Sequence, residues 1–240
     1  MRMPDIDREV LSRRPALIAG LRRLVPDGVV SEDDALIAYD CDALTAYRQK
    51  PLAVVLPTTA AQVGAVLAFC SQNKLKLVPR GAGTSLSGGA LPLGDGIVLG
   101  LSRMNRILEV DLENRCAVVQ PGVTNLAITR AVEADGFYYA PDPSSQIACT
   151  IGGNVAENSG GIHCLKYGLT TNNLLGVELA LIDGTRVRFG GKAMDAGGLD
   201  LLGLVTGSEG LLGVVTEVTV RLRPKPPTAK AMLIAFPSTE

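Results

Sequence analysis

A short segment about a third of the way along the chain combines one cation, several hydroxyl groups and glycine. It runs from Arg80 to Gly89 and reads RGAGTSLSGG. Glycines allow consecutive backbone N–H groups to turn into one concavity, and Thr84 and Ser85 add hydroxyl donors around it. Arg80 can supply a countercharge. This chemistry suits a phosphate group, whereas composition alone would equally suit a solvated Gly/Ser surface loop. The segment follows a predicted buried strand, which favours the binding loop.

This segment matches neither of the two common phosphate-binding fingerprints. A Rossmann fingerprint beginning at Gly81 would require glycine at position 86, where Leu86 stands, and Pro92 leaves no obvious helix behind the loop. A Walker A loop would require Gly-Lys-Ser/Thr, which the segment lacks. The loop is therefore predicted to hold phosphate in a different structural setting.

A second glycine-dense region lies in the middle of the chain. The sequence PDPSS at 141–145 predicts a rigid turn, and TIGGNVAENSGG follows at 150–161. Because so much Gly and Asn weakens a helix, we expect this backbone to be non-helical and to pass close to a flat ligand. His163 comes directly afterwards. A lone histidine is more often structural than catalytic.

The elements that position these loops follow from hydrophobic periodicity. An apolar run at 52–56, a helical pattern capped by Thr58 or Thr59 and reaching Asn73, and a second run at 75–78 predict a parallel, right-handed βαβ unit. In such units the ligand loop follows the carboxyl end of a strand. Ahead of it, the sequence predicts two short helices within 6–25, and a third over 35–39 after a capping box formed by Ser31 and Asp34.

The rest of the chain predicts short strands and turns. A helix is expected at 125–134 with its stop at Gly136, and a hairpin joins 174–182 to 185–189 through a type I′ turn at Asp183-Gly184. The other predicted elements are strands at 97–101, 107–111 and 116–120, a flexible loop at 190–198, a short apolar segment at 199–205, a tight turn at 207–210, a half-buried strand at 213–220 and a Pro-rich exit at 221–227.

Composition excludes several classes of function. The 240 residues carry 23 Lys+Arg against 24 Asp+Glu, so no basic field attracts nucleic acid. Five cysteines without C-x-x-C spacing argue against a disulfide framework and a thiolate metal site, and favour reduced thiols in the cytoplasm. No run approaches the ~18 apolar residues of a membrane span, and the start lacks a signal peptide. With one His, zinc catalysis is not expected. The 27 glycines are an excess over the typical ~7%.

Taken in order, the two glycine-rich segments, PDPSS, the KYG at 166–168 and the GSEG at 207–210 resemble the FAD-binding domain of the vanillyl-alcohol oxidase type. The likeness extends over about 24–227 and is nearest to FAD-linked glycolate oxidase subunits and D-lactate dehydrogenases. It implies an α+β fold of two α/β subdomains that hold an extended FAD, one small and containing the parallel βαβ unit, the other a larger mixed or antiparallel sheet flanked by helices. The implied parts are an N-terminal helical segment (1–50), the FAD-binding domain (51–227, divided at 110/111) and the start of a cap domain (228–240).

The same resemblance implies the residues that bind FAD. The pyrophosphate would be held by the first loop, namely Arg80, Gly81, Ala82, Gly83, Thr84, Ser85 and Gly88. The adenosine or flavin would be lined by Pro141, Asp142, Ser144, Gly152, Gly153, Ala156 and Asn158. The segment from Glu209 and Gly210 to Val215 would close the site near the adenine end. Family members with covalent flavin carry His where Thr84 stands, so noncovalent FAD is expected.

The implied function is the FAD-binding part of an enzyme that oxidises a small 2-hydroxy acid, glycolate or D-lactate, to the 2-oxo acid. Electrons would pass to an accepting partner subunit, in the cytoplasm or at a membrane surface reached through that partner. Relatives continue into a cap domain with the substrate-binding Arg and His residues, so no catalytic residue is assigned here and the chain is expected to be a fragment or a stand-alone cofactor domain. The alternative is a FAD-binding electron-transfer module without a substrate site of its own.

Overall fold

Two β-sheets and the helices packed on them make up the fold. The computed structural model describes residues 3–193 and 198–238. The helices within these ranges are α1 (Arg8–Ser12), α2 (Arg14–Leu24), α3 (Asp33–Leu36), α4 (Ala60–Gln72), α5 (Asn125–Val132), α6 (Ile151–Glu157), α7 (Cys164–Tyr167) and α8 (Leu201–Val205). The strands are β1 (Val29–Val30), β2 (Ala53–Val55), β3 (Lys76–Arg80), β4 (Gly96–Gly100), β5 (Ile107–Asp111), β6 (Cys116–Val119), β7 (Phe137–Tyr138), β8 (Leu174–Ala180), β9 (Arg186–Gly190), β10 (Val214–Arg221) and β11 (Arg223–Pro224).

The first sheet contains the predicted βαβ unit. Its strand order is β1-β2-β4-β3, with β2 and β3 both parallel to β4 and β1 antiparallel to β2. The parallel unit is thus confirmed, with β4 inserted between its two strands. Helix α4 begins after Thr59, whose hydroxyl accepts the Gln62 N–H at 3.2 Å. The predicted apolar face of α4, including Val63 and Val66, packs against the first sheet in a hydrophobic core, the first of two in the fold.

The N-terminal segment packs into that same core. Two short helices, α1 and α2, form as predicted, with Pro15 in the first turn of α2, where its missing N–H is tolerated. Leu17 and Leu21 join the α4 side chains in the core. The capping box at Ser31 is wrong: α3 has Glu32 at its N-cap without a side-chain cap bond, and continues as a 3₁₀ turn over Ile37–Tyr39.

The second sheet is antiparallel, with the order β5-β6-β10-β8-β9. It contains the predicted β8–β9 hairpin, but the type I′ turn is wrong. Leu181 N–H donates to the Thr185 carbonyl at 2.8 Å, and Gly184 has φ +88° while Asp183 has no positive φ. A type I′ turn needs positive φ at both central residues, so the hairpin uses a three-residue loop that ends in left-handed glycine.

Strand β10 is buried along nearly its whole length, against the half-buried strand expected from its alternation. Val214, Val215, Thr216, Val218, Thr219 and Val220 are all buried. On one face of the strand, helix α6 packs in a second core, which also contains Val119 and Val177. On the other face, α4 contacts the strand in the first core, which includes Val214. Because α4 covers the face of β10 that the alternating pattern predicted to be exposed to solvent, both faces of the strand are buried.

The prediction of non-helical backbone in the second glycine-rich region is wrong, because residues 151–157 form helix α6. The Ile151 and Gly152 N–H groups donate to the carbonyls of Val123 and Pro121, at 2.8 and 2.9 Å. Ile151 and Val155 are fully buried in the second core. This tertiary packing outweighs the weak helix propensity of the segment. The α5 prediction is confirmed, with left-handed Gly136 ending the 3₁₀ turn that follows the helix.

The α+β class, with a parallel and an antiparallel sheet, is confirmed. The N-terminal residues contribute β1 to the first sheet, and the proposed domain boundaries stay a prediction. Of the predicted loop at 190–198, residues 194–197 lie outside the described residues. No helix in the described ranges is long and apolar enough to cross a membrane.

Candidate cofactor-binding cavity

A cavity of about 310 Å³ lies between the two sheets. Its walls come from the loop after β3, from the turn before α6 together with α6 itself, and from the segment between α8 and the start of β10. Both glycine-rich regions and the GSEG turn therefore meet at one place. Their convergence explains why the sequence signals are spread over more than a hundred residues.

The loop after β3 presents an uninterrupted row of free backbone donors. Gly83 and Gly88 turn it with φ of +72° and +82°. The N–H groups of residues 82–86 donate no hydrogen bond to any described residue. The Ala43 N–H donates to the Gly83 carbonyl at 2.9 Å. This bond anchors the loop through a carbonyl oxygen, so that the N–H groups of the loop stay available for a ligand. A concavity of this kind is suited to an anion.

Arg80 stabilises the loop through contacts with the N-terminal segment. Its Nη1 donates to the Cys41 carbonyl at 2.6 Å, and its guanidinium lies 5.9 Å from the centre of the Tyr39 ring. A Cβ at Gly83 would lie 2.5 Å from Arg80 Nη2 and would displace the guanidinium, and the φ of +72° strains any residue other than glycine. The side chain thus places its charge directly beside the donor row and fixes the loop to the N-terminal segment.

Helix α6 lines the opposite wall and brings two unsatisfied polar groups. Gly152 packs against Pro121, whereas a Cβ at Gly153 would meet only Thr150 Oγ1, at 3.5 Å. Thr150 Oγ1 is buried without a hydrogen-bond partner among the described residues, and Asn154 Nδ2 is buried with no partner there except a weak contact to the Cys149 thiol; both residues line the cavity. An unpaired buried polar group costs about 1–3 kcal/mol. A ligand that bonds to these atoms would recover that free energy.

The GSEG turn closes the third side and is fixed to α6. The Gly207 N–H donates to the Val155 carbonyl at 2.8 Å, and the Glu209 N–H to the Ala156 carbonyl at 2.9 Å. Glu209 itself is left-handed, with φ +53°, which is uncommon for a residue with a side chain. Its carboxylate and that of Glu157 lie near Gly89. This end suits hydroxyl donors, because two carboxylates repel phosphate.

Twelve of the seventeen residues predicted to bind the cofactor line this cavity: Arg80, Gly81, Ala82, Gly83, Thr84, Ser85, Gly152, Gly153, Ala156, Glu209, Gly210 and Val215. The five that do not are Gly88, Pro141, Asp142, Ser144 and Asn158. Lining a cavity does not test binding, so all seventeen assignments stay predictions.

Three of the five outside residues have structural contacts of their own. The Pro141 carbonyl accepts Asn125 Nδ2 at 3.0 Å. Asp142 accepts the His163 N–H and lies 3.1 Å from His163 Nδ1. Asn158 ends α6 in a left-handed conformation, and its Oδ1 accepts the Thr171 N–H. His163 lies outside the cavity lining, in agreement with a structural role.

Several lining residues were not among those predicted from the sequence. The polar ones are Ser87, Ser145, Cys149, Thr150, Asn154, Glu157, Ser159 and Ser208. Asn154 carried a usable signal, since an amide between apolar Ile151 and Val155 must find a partner or a ligand once helix α6 is recognised. Burial raises the pKa of the Cys149 thiol, so it stays neutral in the cavity wall. Leu179 and Val205 offered no signal in the sequence, because their pattern is that of ordinary core residues.

Comparison with known proteins identifies the family. Residues 51–190 match the family described as FAD binding domain. The chain belongs to this family, and its cofactor is FAD. The segments that build the cavity fall largely within the matched range.

Relatives agree with this assignment. Glycolate oxidase subunit GlcD of Escherichia coli strain K12 is 54% identical over 239 residues, which cover 99% of this chain and 47% of the relative. D-lactate dehydrogenase of Anaerostipes hadrus is 34% identical over 228 residues, covering 94% of this chain and 48% of the relative. A solved alkyldihydroxyacetonephosphate synthase, 21% identical, superposes with a TM-score of 0.75 over 95% of this chain and 42% of its own, which supports the fold. The chain spans about half the length of the curated relatives it matches.

Proposed function

We propose that this chain is the FAD-binding part of a flavin-dependent oxidoreductase that converts glycolate or D-lactate to the 2-oxo acid. The observation that carries the FAD-binding role is the row of N–H groups at 82–86, which bond to no described residue and share a cavity with two polar groups that are likewise unpaired there. The substrate class rests on the relatives, which are named a glycolate oxidase subunit and a D-lactate dehydrogenase.

The cavity residues fit distinct parts of FAD. The donor row, with Thr84 and Ser85, suits the pyrophosphate. The open space at Gly153 leaves room for a flat group, and Asn154 Nδ2 and Thr150 Oγ1 offer it hydrogen bonds. Glu157 and Glu209 suit hydroxyl groups of the ribityl chain or ribose. Bound FAD would supply the hydride acceptor, and the residues of the cavity would bind and orient it.

We further propose that FAD is held without a covalent bond. A tether would need a nucleophilic side chain in the cavity. Thr84 stands where a linking His would be, His163 is outside the lining, and the raised pKa of Cys149 keeps that thiol unreactive. Acid precipitation of the yellow protein should leave the flavin in the supernatant, and flavin in the pellet would contradict this assignment.

A partner that accepts the electrons is part of the proposal, because the Escherichia coli relative is named a subunit. All five cysteines are free thiols, which supports a reducing compartment such as the cytoplasm. At a membrane surface, the chain would be held through that partner.

The second candidate, an electron-transfer module without a substrate site, is favoured by the charges of the cavity. A 2-hydroxy acid needs a cation for its carboxylate. Arg80 is the one cation among the described lining residues, and it is already bound to the Cys41 carbonyl.

Anaerobic mixing separates the two candidates. FAD-loaded chain is mixed with excess glycolate or D-lactate, and separately with dithionite. We expect bleaching by dithionite only for these 240 residues, because no described residue that lines the cofactor cavity offers a free cation for the substrate carboxylate. The same assay on the product of the complete reading frame then decides: bleaching by a 2-hydroxy acid supports the enzyme, and its absence supports the module.

A further inference from the structure

A second cavity, of about 230 Å³, lies at the far end of the antiparallel sheet. It is formed by the β5–β6 turn, by Lys192 just after β9, and by the junction of β10 with β11. Its lining consists of Asn114, Arg115, Leu175, Lys192, Arg221, Leu222, Arg223 and Pro224. None of these residues lines the first cavity.

The cavity has an apolar floor and cationic walls. Leu175 and Leu222 are buried at its base. Four cations from three separate segments surround them, although the chain as a whole has a net charge of −1. The concentration of positive charge is therefore a property of this place in the fold.

Most of this positive charge is unneutralised. Lys192 pairs with Glu109 and Asp111, at 2.5 and 2.9 Å, and Asp111 also accepts Asn114 Nδ2. Among the described residues, Arg221 and Arg223 have no carboxylate partner, and the same is true of Arg115.

Arg221 and Arg223 also carry signs of an unfilled contact. Arg223 Nε is buried without a hydrogen-bond partner in the described part of the chain, although the guanidinium carbon lies 5.9 Å from the centre of the Tyr167 ring. Burial, and then the charge of Arg223, lower the pKa of Arg221. Two half-buried guanidinium groups that repel each other would both be stabilised by an anion between them.

The local backbone fixes these groups in place. Arg115 is left-handed, with φ +52°, and its carbonyl accepts the Leu222 N–H at 2.7 Å. This bond holds the β5–β6 turn against the junction of β10 and β11, on either side of which Arg221 and Arg223 lie. The cavity wall is thus set by backbone pairing and does not depend on flexible side chains alone.

We propose that this cavity binds a carboxylate or phosphate group whose carbon skeleton rests on Leu175 and Leu222. Guanidinium groups present paired donors that match both anions. The group would be carried by a small organic anion or by an acidic segment of another protein, two sources that an experiment separates.

The test uses ¹⁵N-labelled protein saturated with FAD, so that the first loop is already occupied. Citrate, inorganic phosphate and an oligoglutamate peptide are titrated while the amide signals of Arg115, Lys192 and Arg223 are followed. We expect saturable shifts at these positions and none at 82–86. A response to citrate or phosphate alone identifies a small anion, and tighter binding of the peptide identifies a protein segment.

The variant is Arg221→Gln with Arg223→Gln. Each lost charge-assisted hydrogen bond is worth about 1.5–3 kcal/mol, so affinity should fall at least about 10-fold. The matched control, Arg23→Gln with Arg130→Gln, removes two exposed cations elsewhere and should bind like the parent. Arg221→Lys with Arg223→Lys keeps the charge and should bind with intermediate affinity. The proposal is overturned if no probe shifts these signals in the parent, or if the Gln variant and the control bind equally. Because the shifts are read at the second cavity, this outcome is independent of whether FAD binds as proposed.

Discussion

At the level of single residues, Gly83 decides whether the first loop can hold an anion. Its φ of +72° and the Arg80 guanidinium 2.5 Å from an added Cβ leave no room for a side chain. We expect Gly83→Val to weaken FAD binding at least about 100-fold, through two or more lost hydrogen bonds to phosphate. The fold should persist, because the loop lies outside both cores, but the strain of a β-branched residue at this φ should lower the thermal midpoint moderately. Flavin absorbance after gel filtration measures the loss.

The control for this variant is Gly191→Val. An added Cβ there meets nothing within 4 Å, and Gly191 has no positive φ. It should retain flavin fully. If Gly83→Val binds FAD as well as Gly191→Val does, the phosphate role of the loop is wrong.

Thr150 gives a second prediction, in which stability and binding move in opposite directions. Its buried hydroxyl has no partner among the residues that the structure describes, so Thr150→Val should leave the unliganded protein as stable or more stable. FAD affinity should fall about 5- to 10-fold if the hydroxyl bonds to the cofactor. Thr216→Val is the contrast, because that hydroxyl bonds to Glu178 and its loss should lower stability without changing the Kd for FAD. Equal effects of the two variants would refute the assignment of Thr150.

At the level of elements, Asp95 connects helix α1 to the first sheet. It accepts the Asp7 N–H at 2.9 Å and Lys76 Nζ at 2.7 Å. Burial acts to raise the pKa of Asp95, but the Lys76 ammonium and the Asp7 N–H together outweigh it and hold the pKa below its ordinary value of 3.8. A carboxyl with a depressed pKa in the folded state stabilises the fold above pH 3.8, and that contribution is lost as the pH falls through the depressed value.

We therefore expect Asp95→Asn to lower the free energy of unfolding by about 1–3 kcal/mol at neutral pH. The difference from the parent should shrink as the pH falls below 3.8. Urea unfolding at several pH values measures both effects. Asp135→Asn, which removes an exposed carboxylate that forms no ion pair within the described ranges, is the control. A difference between parent and Asp95→Asn that stays constant with pH would show that the depressed pKa is not the cause.

The elements that the sequence predicts well are those whose own pattern decides their structure. Strand β2 is a continuous apolar run, and α4 has one apolar face and a Thr cap, so both follow from local physics. Helix α6 does not, because Ile151 and Val155 become core residues only when β10 covers them. For the same reason Thr150 and Asn154 escaped notice, and the cations of the second cavity could not be grouped from positions as distant as 115 and 223.

At the scale of the whole molecule, the cavity depends on how the two halves meet. The donor row belongs to the first sheet, while α6 and the GSEG turn belong to the second. Helix α4 of the first half lies against the β8–β9 turn of the second, at a contact between Gly64 and Gly184. A Cβ at Gly64 would lie 2.7 Å from the Gly184 carbonyl oxygen. Two glycines therefore allow the backbones of the two halves to touch.

We expect Gly64→Ala to move the halves apart and so to weaken FAD binding about 10-fold, although Gly64 does not line the cavity. Alanine in a helix interior usually stabilises by roughly 0.5–1 kcal/mol over glycine, so a net loss of about 1–3 kcal/mol would identify the collision as the cause. Ser71→Ala, at an exposed position of the same helix, provides the reference for helix propensity alone and should bind FAD like the parent. Fluorescence titration with FAD and thermal unfolding measure the two effects. If Gly64→Ala is destabilised but keeps the parent Kd, the contact holds the fold together without setting the width of the cavity.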